Sequence, residues 1–438
     1  MNEIVRLSDL AAVRVAVWGA GREGRAAIGE LRRLGCDIVL VVDEIDDAAR
    51  GLAAEHGLEV RGPADVGSSG VSFVVRSPGI SRYRPEVAAW RAAGIRSSGL
   101  LSLWLAERDP ETVIGVTGTK GKSTTTSLIA GILSAAGRGV HLAGNIGVPV
   151  TAVPAGSEVA VVEVSSYQAS DCATSPCVGV LTALGEDHVS WHGSVGRYHA
   201  DKLNLFAHPG LRAMVTSVGR DRLAALGVDV FVDGPWRLDG VLAVRDGDAP
   251  VDTGSVPAHV RRNLLLAANA AEAWSAGVRS AHVAAAVVGF EALPSRQRVV
   301  EVVDGVRWVD DLLASNPTGV AAALESFAGE GLILLMGGED RGIDLSPLVA
   351  DLVAATNIEA IVLMGGDDET LVRVLTVAPL PIVRIRGHDI DAAVRTAHGL
   401  ARPGMTVSFS PGAPTPKALG DWESRSRVYA ASIAALPH

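Results

Sequence analysis

The chain has 438 residues, enough for roughly two to four domains of ordinary size. Hydrophobic residues make up 48% of it and charged residues 20%, a balance that supplies full cores and excludes wholesale disorder. The formal net charge of −10 argues against a nucleic-acid or anionic-membrane partner. No apolar run reaches the roughly 18 residues of a membrane span, and the N-terminal segment lacks a secretory pattern. These features predict a soluble cytoplasmic protein.

Apolar strands alternate with amphipathic helices along the chain, which is typical of parallel α/β sheets. Strands are predicted over 13–18, 37–42, 71–76, 113–116, 159–164, 178–183, 332–335 and 361–364. Helices are predicted from the end of the first glycine-rich turn to about residue 34, and over 85–93, 123–136 and 263–276. Segments between 213 and 251 that are punctuated by Asp-Gly predict an antiparallel excursion.

The alternation predicts three α/β domains. Residues 107–110 are charged and contain a proline, which indicates a linker, and a third α/β unit begins near residue 299. The predicted domains are a Rossmann-like N-terminal domain at 1–109, a central P-loop domain at 110–295 and a Rossmann-like C-terminal domain at 296–438. In such sheets ligands bind in the loops at the carboxyl ends of the strands.

A first glycine-rich turn, Gly19-Ala-Gly21-Arg-Glu-Gly24, follows the first predicted strand, and Asp43 stands about 20 residues further on. This spacing is that of a dinucleotide-binding fingerprint, in which backbone amides at a helix start face a diphosphate. The pattern alone leaves three interpretations open: NAD(P) or FAD, another phosphorylated ligand, or a structural turn.

A second glycine-rich turn runs from Gly115 to Thr124 as G-V-T-G-T-K-G-K-S-T. A strict P-loop has glycine where this chain has Val116. The physical requirements are still met, because Gly118 and Gly121 let amides turn toward phosphates and Lys122 reaches their oxygens. The Ser123 hydroxyl is a suitable ligand for Mg²⁺.

Lysine is rare in this chain. Among 39 basic residues only four are lysines: Lys120, Lys122, Lys202 and Lys417. Where arginine supplies general surface charge, a retained lysine indicates a need for ammonium or amine chemistry. Lys202 is therefore a candidate functional residue. Glu163, at the end of a predicted strand, and His188, beside Asp187 in a loop after a strand, are candidate metal or phosphate ligands.

Together these residues resemble the Mur ligases of peptidoglycan precursor synthesis, and among them the glutamate-adding ligases. The matching segments, in chain order, are 77–80, 118–124, 144–147, 163–166, 186–188, Lys202, Asn263, 293–296, 310–311, 322–326, 337–338 and 410–411.

The resemblance implies an ATP-dependent carbon–nitrogen ligase that joins glutamate to UDP-N-acetylmuramoyl-L-alanine through an acyl phosphate, with ATP and two Mg²⁺ ions. Residues 1–109 would bind the UDP moiety, through Gly19, Gly21, Gly24, Asp43 and Ser77. ATP would be bound by Gly118, Thr119, Lys120, Gly121, Lys122, Ser123, Thr124, Asn263, Arg296 and Asp311. Ser123, Glu163, His188 and a carbamylated Lys202 would hold the metal ions. Lys122, Lys202, His188 and Asn145 would act in catalysis.

The C-terminal domain would bind glutamate, and there the match departs from the usual D-glutamate ligases. Leu313 and Ser315 stand where those enzymes have Lys and Thr, and Arg341 replaces another lysine. Ser315, Arg341, Thr415 and Trp422 are the predicted glutamate contacts, while the role of Lys417 stays open. These changes favour L-glutamate, with a separate epimerase acting on the product, over the alternative D-glutamate.

Three other functions would account for part of the sequence. A folylpolyglutamate-type ligase shares the P-loop but lacks a separate N-terminal domain like that at 1–109. An NAD-dependent oxidoreductase built on Gly19–Gly24 would leave Glu163, His188 and Lys202 without a role. A ligase-derived binding protein with no activity is disfavoured by the intact lysines.

Overall fold

The computed structural model describes residues 4–228, 232–291, 295–339 and 344–437. Within these ranges the strands form four sheets, three of them wholly or mostly parallel, which confirms the predicted α/β class. The chain divides into two compact units, Met1–Val256 with Val260–Gly289, and Pro257–His259 with Phe290–His438. No helix among the described residues is long and apolar enough to cross a membrane.

The first sheet belongs to the first unit and is parallel throughout, in the order β3-β2-β1-β4-β5. Its elements are β1 (Arg14–Trp18), α1 (Arg22–Arg33), β2 (Asp37–Val41), α2 (Asp47–His56), β3 (Glu59–Arg61), β4 (Phe73–Arg76), α3 (Pro85–Ala92), β5 (Arg96–Ser98) and α4 (Leu100–Glu107). The central strands β1 and β4 are almost entirely buried, as expected for a sheet covered by helices on both faces.

The second sheet is also parallel, in the order β10-β9-β6-β8-β7. Its elements are β6 (Val113–Thr117), α5 (Lys122–Ala135), β7 (Val140–Gly144), β8 (Val159–Glu163), α6 (Ser166–Ala169), β9 (Val178–Leu181), α7 (Val189–His192), α8 (Val195–Leu203), β10 (Ala213–Thr216) and α9 (Arg220–Ala225). Because β8 and β9 flank β6, the loops that follow these three strands meet at one edge of the sheet.

The predicted antiparallel excursion from residue 213 is wrong at its start. Strand β10 pairs in parallel with β9, since α7 and α8 return the chain to the same end of the sheet. The antiparallel sheet comes later and consists of β11 (Arg237–Asp239), β12 (Leu242–Val244) and β13 (Val251–Asp252). Two helices follow it, α10 (Ala258–Trp274) and α11 (Ser280–Val288).

The second unit contains a six-stranded sheet in the order β14-β15-β19-β16-β17-β18, parallel except for the first pair. Its elements are β14 (Arg298–Val303), β15 (Val306–Asp310), α12 (Pro317–Ser326), β16 (Leu332–Met336), α13 (Ser346–Ala354), β17 (Ile358–Gly365), α14 (Thr370–Thr376), β18 (Ile382–Arg386), α15 (Ile390–Leu400), β19 (Thr406–Phe409) and α16 (Trp422–Ala434). The carboxyl ends of β15, β19 and β16 therefore lie side by side. The domain boundaries at 109/110 and 295/296 stay predictions.

Within the first unit, a buried ion pair joins β4 of the first sheet to the segment that follows α6. Arg76, the last residue of β4, donates from Nη2 to Asp171 Oδ2 at 2.5 Å, and the two side chains are 1% and 7% exposed. Arg76 also donates from Nη1 to the carbonyl oxygen of Ile80. The pair thus fixes the turn after β4, where Ser77 is a predicted substrate contact.

Replacing Asp171 with asparagine should lower the free energy of unfolding by about 3–5 kcal/mol, because it leaves a buried guanidinium without a compensating charge. Asp37→Asn is the matched control. The Arg14–Asp37 pair is solvent-exposed, with side chains 35% and 61% accessible, and its loss should cost at most about 1 kcal/mol. Urea unfolding of both variants measures the difference. Equal costs would contradict the assigned role of the buried pair.

Candidate active site

The phosphate-binding turn connects β6 to α5. Gly118 has φ +150°, and a Cβ atom there would lie 2.0 Å from Thr182 Oγ1. Gly121 has φ +83°, and a Cβ there would lie 2.7 Å from Asn263 Oδ1. Both positions therefore require glycine. The second contact also brings Asn263, a predicted ATP residue, against the loop. Lys122 donates from Nζ to the Gly118 carbonyl at 3.0 Å, so its ammonium group lies over the turn.

A strand-end carboxylate faces the same edge of the sheet. Glu163 ends β8 and is 1% exposed. Its Oε1 accepts from Asn145 Nδ2 at 2.8 Å, whereas its Oε2 is buried and has no hydrogen-bond partner among the residues that the structure describes. A buried carboxylate oxygen without a donor is costly unless a ligand satisfies it. Glu163 and Asn145, both predicted site residues, thus form a pair with one free oxygen.

Lys202 is a buried amine beside the phosphate-binding turn. It is 1% exposed, and its Nζ lies 4.8 Å from the ring centroid of Tyr198. Desolvation, with the nearby Lys122 charge, lowers the pKa of Lys202 well below its ordinary value. The Tyr198 hydroxyl in turn lies 2.9 Å from Thr119 Oγ1 in the turn. The structure therefore places a buried amine with a lowered pKa beside the phosphate-binding turn.

His188 stands at the start of α7 in a left-handed conformation, with φ 51°. Its ring centroid lies 4.9 Å from that of Tyr167 and 6.4 Å from that of Tyr198. Desolvation lowers the pKa of His188; Asp187 opposes this shift, while Lys122 and Lys202 reinforce it. A neutral imidazole is the form that binds metal ions or accepts a hydrogen bond.

A row of hydrogen bonds, not predicted from the sequence, runs from the exposed Tyr83 in the loop after β4 to buried residues on and beside the helix of Lys202. The Tyr83 hydroxyl donates to Asp201 Oδ1 at 2.7 Å, and Asp201 Oδ2 lies 2.6 Å from His192 Nδ1. His192 Nε2 lies 3.0 Å from Ser166 Oγ. These hydrogen bonds fix α8, and with it Lys202, relative to the loop that follows β4.

The first glycine-rich turn forms a close-packed corner with the loop after β4. A Cβ at Gly24 would lie 1.9 Å from the Gly19 carbonyl, and one at Gly19 would lie 2.6 Å from Ser77 Oγ. No packing contact requires glycine at position 21, where a Cβ would meet nothing within 4 Å. The Ser77 hydroxyl is buried without a hydrogen-bond partner among the described residues, so it can donate to a ligand. Asp43 instead pairs with Arg84 at 2.8 Å.

Glu23, in the same turn, is largely buried and accepts a hydrogen bond from Gln168 Nε2. Desolvation raises the pKa of Glu23 from 4.5 to about 7. The folded protein therefore favours the protonated form of Glu23. The resulting contribution to stability is fully present below about pH 4.5, and it is lost as the pH rises through about 7, where the buried carboxyl group ionises. Glutamine carries no charge to bury at any pH. We therefore expect Glu23→Gln to raise the free energy of unfolding by about 2–3 kcal/mol above pH 7.

The measurement for Glu23 is urea unfolding at pH 5 and pH 8. Glu23→Gln should be more stable than the original chain at pH 8, with the gain shrinking at pH 5. Glu55→Gln, on the exposed side of α2, is the matched control and should change neither value. An unchanged pH profile in Glu23→Gln would exclude this role of Glu23.

The candidate site of the second unit lies at the carboxyl ends of β15, β19 and β16. Asp311 is 5% exposed and its Oδ2 accepts from Ser410 Oγ at 3.0 Å. Asp310 Oδ2 accepts from Ser295 and Ser426 at 2.8 and 2.6 Å. Thr415 lies in the loop after β19.

The remaining predicted contacts are less defined by the structure. Ser315 is half-buried beside the residue that caps α12, and Trp422 begins α16 and is half-buried. Arg296, also half-buried, precedes β14. Arg341 lies outside the described residues, as does the side chain of Lys417. The contacts of Arg296 and Asp311 with ATP, and of Ser315, Arg341, Thr415 and Trp422 with glutamate, stay predictions.

The features of the first unit define a class of protein. A glycine-rich turn with a lysine opens a helix after the central strand of a parallel sheet, and a carboxylate with a free oxygen ends the neighbouring strand. This arrangement is that of a P-loop enzyme that uses a nucleoside triphosphate.

Comparison with known proteins identifies the family. Residues 116–224 match the Mur ligase middle domain, and residues 295–412 match the Mur ligase glutamate ligase domain. The chain is 37% identical over 457 residues to a UDP-N-acetylmuramoyl-L-alanine–L-glutamate ligase of a Micromonospora species, covering 98% of each chain. It is 36% identical over 454 residues to the ligase of the same name from Xanthomonas axonopodis pv. citri, covering 97% of this chain and 96% of the relative.

Solved structures show the same fold. A UDP-N-acetylmuramate–alanine ligase of Thermotoga maritima superposes with a TM-score of 0.61 at 16% identity, covering 96% of this chain and 99% of the other. A MurF ligase of the same organism, in complex with ADP, gives 0.60 at 16% identity, with 98% of each chain covered. The chain belongs to the Mur ligase family and is an ATP-dependent amide-bond-forming ligase.

Proposed function

We propose that this enzyme joins L-glutamate to UDP-N-acetylmuramoyl-L-alanine in peptidoglycan precursor synthesis, with conversion of ATP to ADP and phosphate. The observation that carries the proposal is the 36–37% identity, over nearly the full chain, to relatives that bear this activity in their names. The departures at Leu313, Ser315 and Arg341 from the usual D-glutamate pattern agree with it. A separate epimerase would then act on the product.

The residues of the first unit fit an ATP-dependent ligation. The γ-phosphoryl group of ATP passes to the alanyl carboxylate and forms an acyl phosphate, which the glutamate amine attacks with release of phosphate. Lys122 and the amides of the turn bind the phosphates, and Asn263 borders that turn. The free oxygen of Glu163, the Ser123 hydroxyl and the neutral His188 ring suit two Mg²⁺ ions, which supply charge neutralisation of the phosphoryl group when bound.

A carbamylated Lys202 completes the proposed metal site. The described residues contain no group of three or more His, Cys, Asp or Glu side chains that could hold a metal ion. Additional oxygen ligands would then come from Ser123, from phosphate, from water or from a modified side chain. A neutral, buried amine is the form of lysine that adds CO2, and the product is a carboxylate-like group.

In the first unit, residues 1–109 contribute the close-packed corner of Gly19, Gly24 and Ser77. We propose that the backbone amides in the first turn of α1 and the Ser77 hydroxyl bind the UDP moiety, with Gly21 and Asp43 nearby. Residues 110–295 would bind ATP and metal, and residues 296–438 would bind glutamate.

Phosphate release from ATP with UDP-N-acetylmuramoyl-L-alanine, measured with each glutamate isomer separately, tests the proposal. Release with L-glutamate alone is the expected result. Release with D-glutamate alone would overturn the assigned isomer but keep the ligase. No phosphate release with either isomer would overturn the assigned substrates.

A further inference from the structure

The ring of His188, a predicted magnesium ligand, forms no hydrogen bond with the residues that the structure describes. The side chain is 47% exposed, and Oδ1 of the neighbouring Asp187 lies 3.6 Å from its Nδ1, which is beyond hydrogen-bond range. A histidine that binds a metal ion is normally oriented by a hydrogen bond of its second ring nitrogen. In this chain a different kind of contact is available to orient the ring.

That contact is aromatic. The ring centroid of Tyr167 lies 4.9 Å from that of His188, with 57° between the ring planes. Tyr167 also stacks on Trp191, at 4.6 Å and 22°. Both distances lie within the range of about 4.5–7 Å in which aromatic pairs attract each other. His188, Tyr167 and Trp191 thus form a group of three rings, which we call the aromatic row.

Trp191 is anchored to the loop after β4. It is 9% exposed, and its Nε1 donates to the Pro78 carbonyl at 3.0 Å. Its own carbonyl accepts from Ser81 Oγ at 2.8 Å. Two hydrogen bonds and burial fix the Trp191 ring, so it can hold Tyr167 in place.

Tyr167 is placed by the segment that also carries Glu163. It lies on α6, which begins three residues after Glu163, and a capping box of Ser165 and Gln168 fixes the start of that helix. Tyr167 is half-buried, and the His188 side chain is about half exposed, so the two rings meet at the border of the site and not in the core.

The aromatic row lies beside the phosphate-binding turn. The His188 ring centroid is 6.4 Å from that of Tyr198, and the Tyr198 hydroxyl contacts Thr119 in the turn. A ring held against Tyr167 therefore stays close to the phosphates that the turn is proposed to bind.

We propose that Tyr167 is a positioning residue that orients the His188 imidazole, and that Trp191 holds Tyr167 in place. The Tyr167 ring limits rotation of the His188 side chain and so replaces the missing hydrogen bond. The inference rests on the proposed function, in which His188 binds Mg²⁺. It adds Tyr167 and Trp191, which lie outside the predicted site residues.

Binding of Mn²⁺ in the presence of ADP, followed by electron paramagnetic resonance, tests the role of Tyr167 without turnover. Tyr167→Leu should weaken Mn²⁺ binding by about tenfold or more, which is the usual effect of losing a partner that orients a metal ligand. Tyr167→Phe keeps the ring and should stay within about threefold of the original chain. Tyr167→Leu should also raise the Mg²⁺ concentration for half-maximal phosphate release, with the KM for glutamate changed by less than about threefold.

A double-mutant cycle separates positioning from general damage to the site. If Tyr167 acts through His188, Tyr167→Leu combined with His188→Ala should bind Mn²⁺ no more than about threefold more weakly than His188→Ala alone. Multiplicative losses would overturn the proposal. A raised KM for UDP-N-acetylmuramoyl-L-alanine with unchanged Mn²⁺ affinity would also overturn it, because Tyr167 would then be a substrate contact.

Trp274→Leu is the matched control. Trp274 is a half-buried ring whose Nε1 donates to the Glu111 carbonyl just before β6, at the end of that strand opposite to the phosphate-binding turn. Its loss should leave Mn²⁺ binding unchanged.

The outcomes for the aromatic row and for the proposed function are distinguishable. No phosphate release by the original chain with either glutamate isomer would overturn the proposed function. Phosphate release by the original chain, with unchanged Mn²⁺ affinity in Tyr167→Leu or in His188→Ala, would overturn only the role of the aromatic row. Should Tyr167→Leu not fold, Tyr167→Met decides, since a flexible side chain fills the space without confining the imidazole and should show the same loss.

Discussion

Replacing Glu163 with glutamine should reduce phosphate release by about 10³-fold, since the substitution removes a buried carboxylate oxygen that has no hydrogen-bond partner among the described residues and is available to a metal ion. Glutamine has the same shape and can still accept the hydrogen bond from Asn145. The fold should therefore be kept, and the free energy of unfolding should stay equal or rise, because a buried charge is lost. Activity measured over a range of Mg²⁺ concentrations checks the expectation.

Glu158→Gln is the matched control for this experiment. Glu158 is exposed and comes directly before the first residue of β8, at the end of the strand opposite to Glu163. It accepts hydrogen bonds from Arg138 and from the Gly139 amide. The same change of charge at this position should leave activity within about twofold, since surface pairs contribute little. A Glu163→Gln variant that keeps its activity and its Mg²⁺ dependence would exclude Glu163 as a metal ligand.

The fold and the phosphate-binding turn could be predicted from the sequence because their signals are local. The strand before Gly118, the glycines at 118 and 121 and the helix that follows occupy a short stretch with fixed spacing. The retained lysines also pointed to Lys122 and Lys202. The direction of β10 could not be predicted, because it depends on the long connection through α7 and α8.

The residues that the sequence analysis did not predict contact residues that are distant in sequence. Asp171 pairs with Arg76 across 95 residues, and Tyr83 reaches Asp201 across 118. Tyr198 had a usable signal, since it stands four residues before Lys202 and therefore on the same face of a helix.

Lys202→Ala should lower activity by about 10³-fold or more, if a carbamate on this side chain is a metal ligand. Short carboxylic acids such as acetate should restore part of that activity, because they fit the space left by the side chain and supply the missing carboxylate. Lys202→Met fills the same space with an uncharged chain of similar length. It should be equally inactive but should not respond to acetate.

The modification itself has a direct readout. Carbamylation consumes CO2 and releases a proton, so a buried amine with a lowered pKa reacts where an ordinary ammonium group does not. Enzyme equilibrated with ¹³C-bicarbonate should show a carbamate resonance that is absent in Lys202→Met, and removal of CO2 should lower its activity. Full activity in Lys202→Ala would exclude any catalytic role of this lysine. Loss of activity without rescue and without the resonance would instead leave Lys202 acting as an amine, consistent with its burial beside Tyr198 and the phosphate-binding turn.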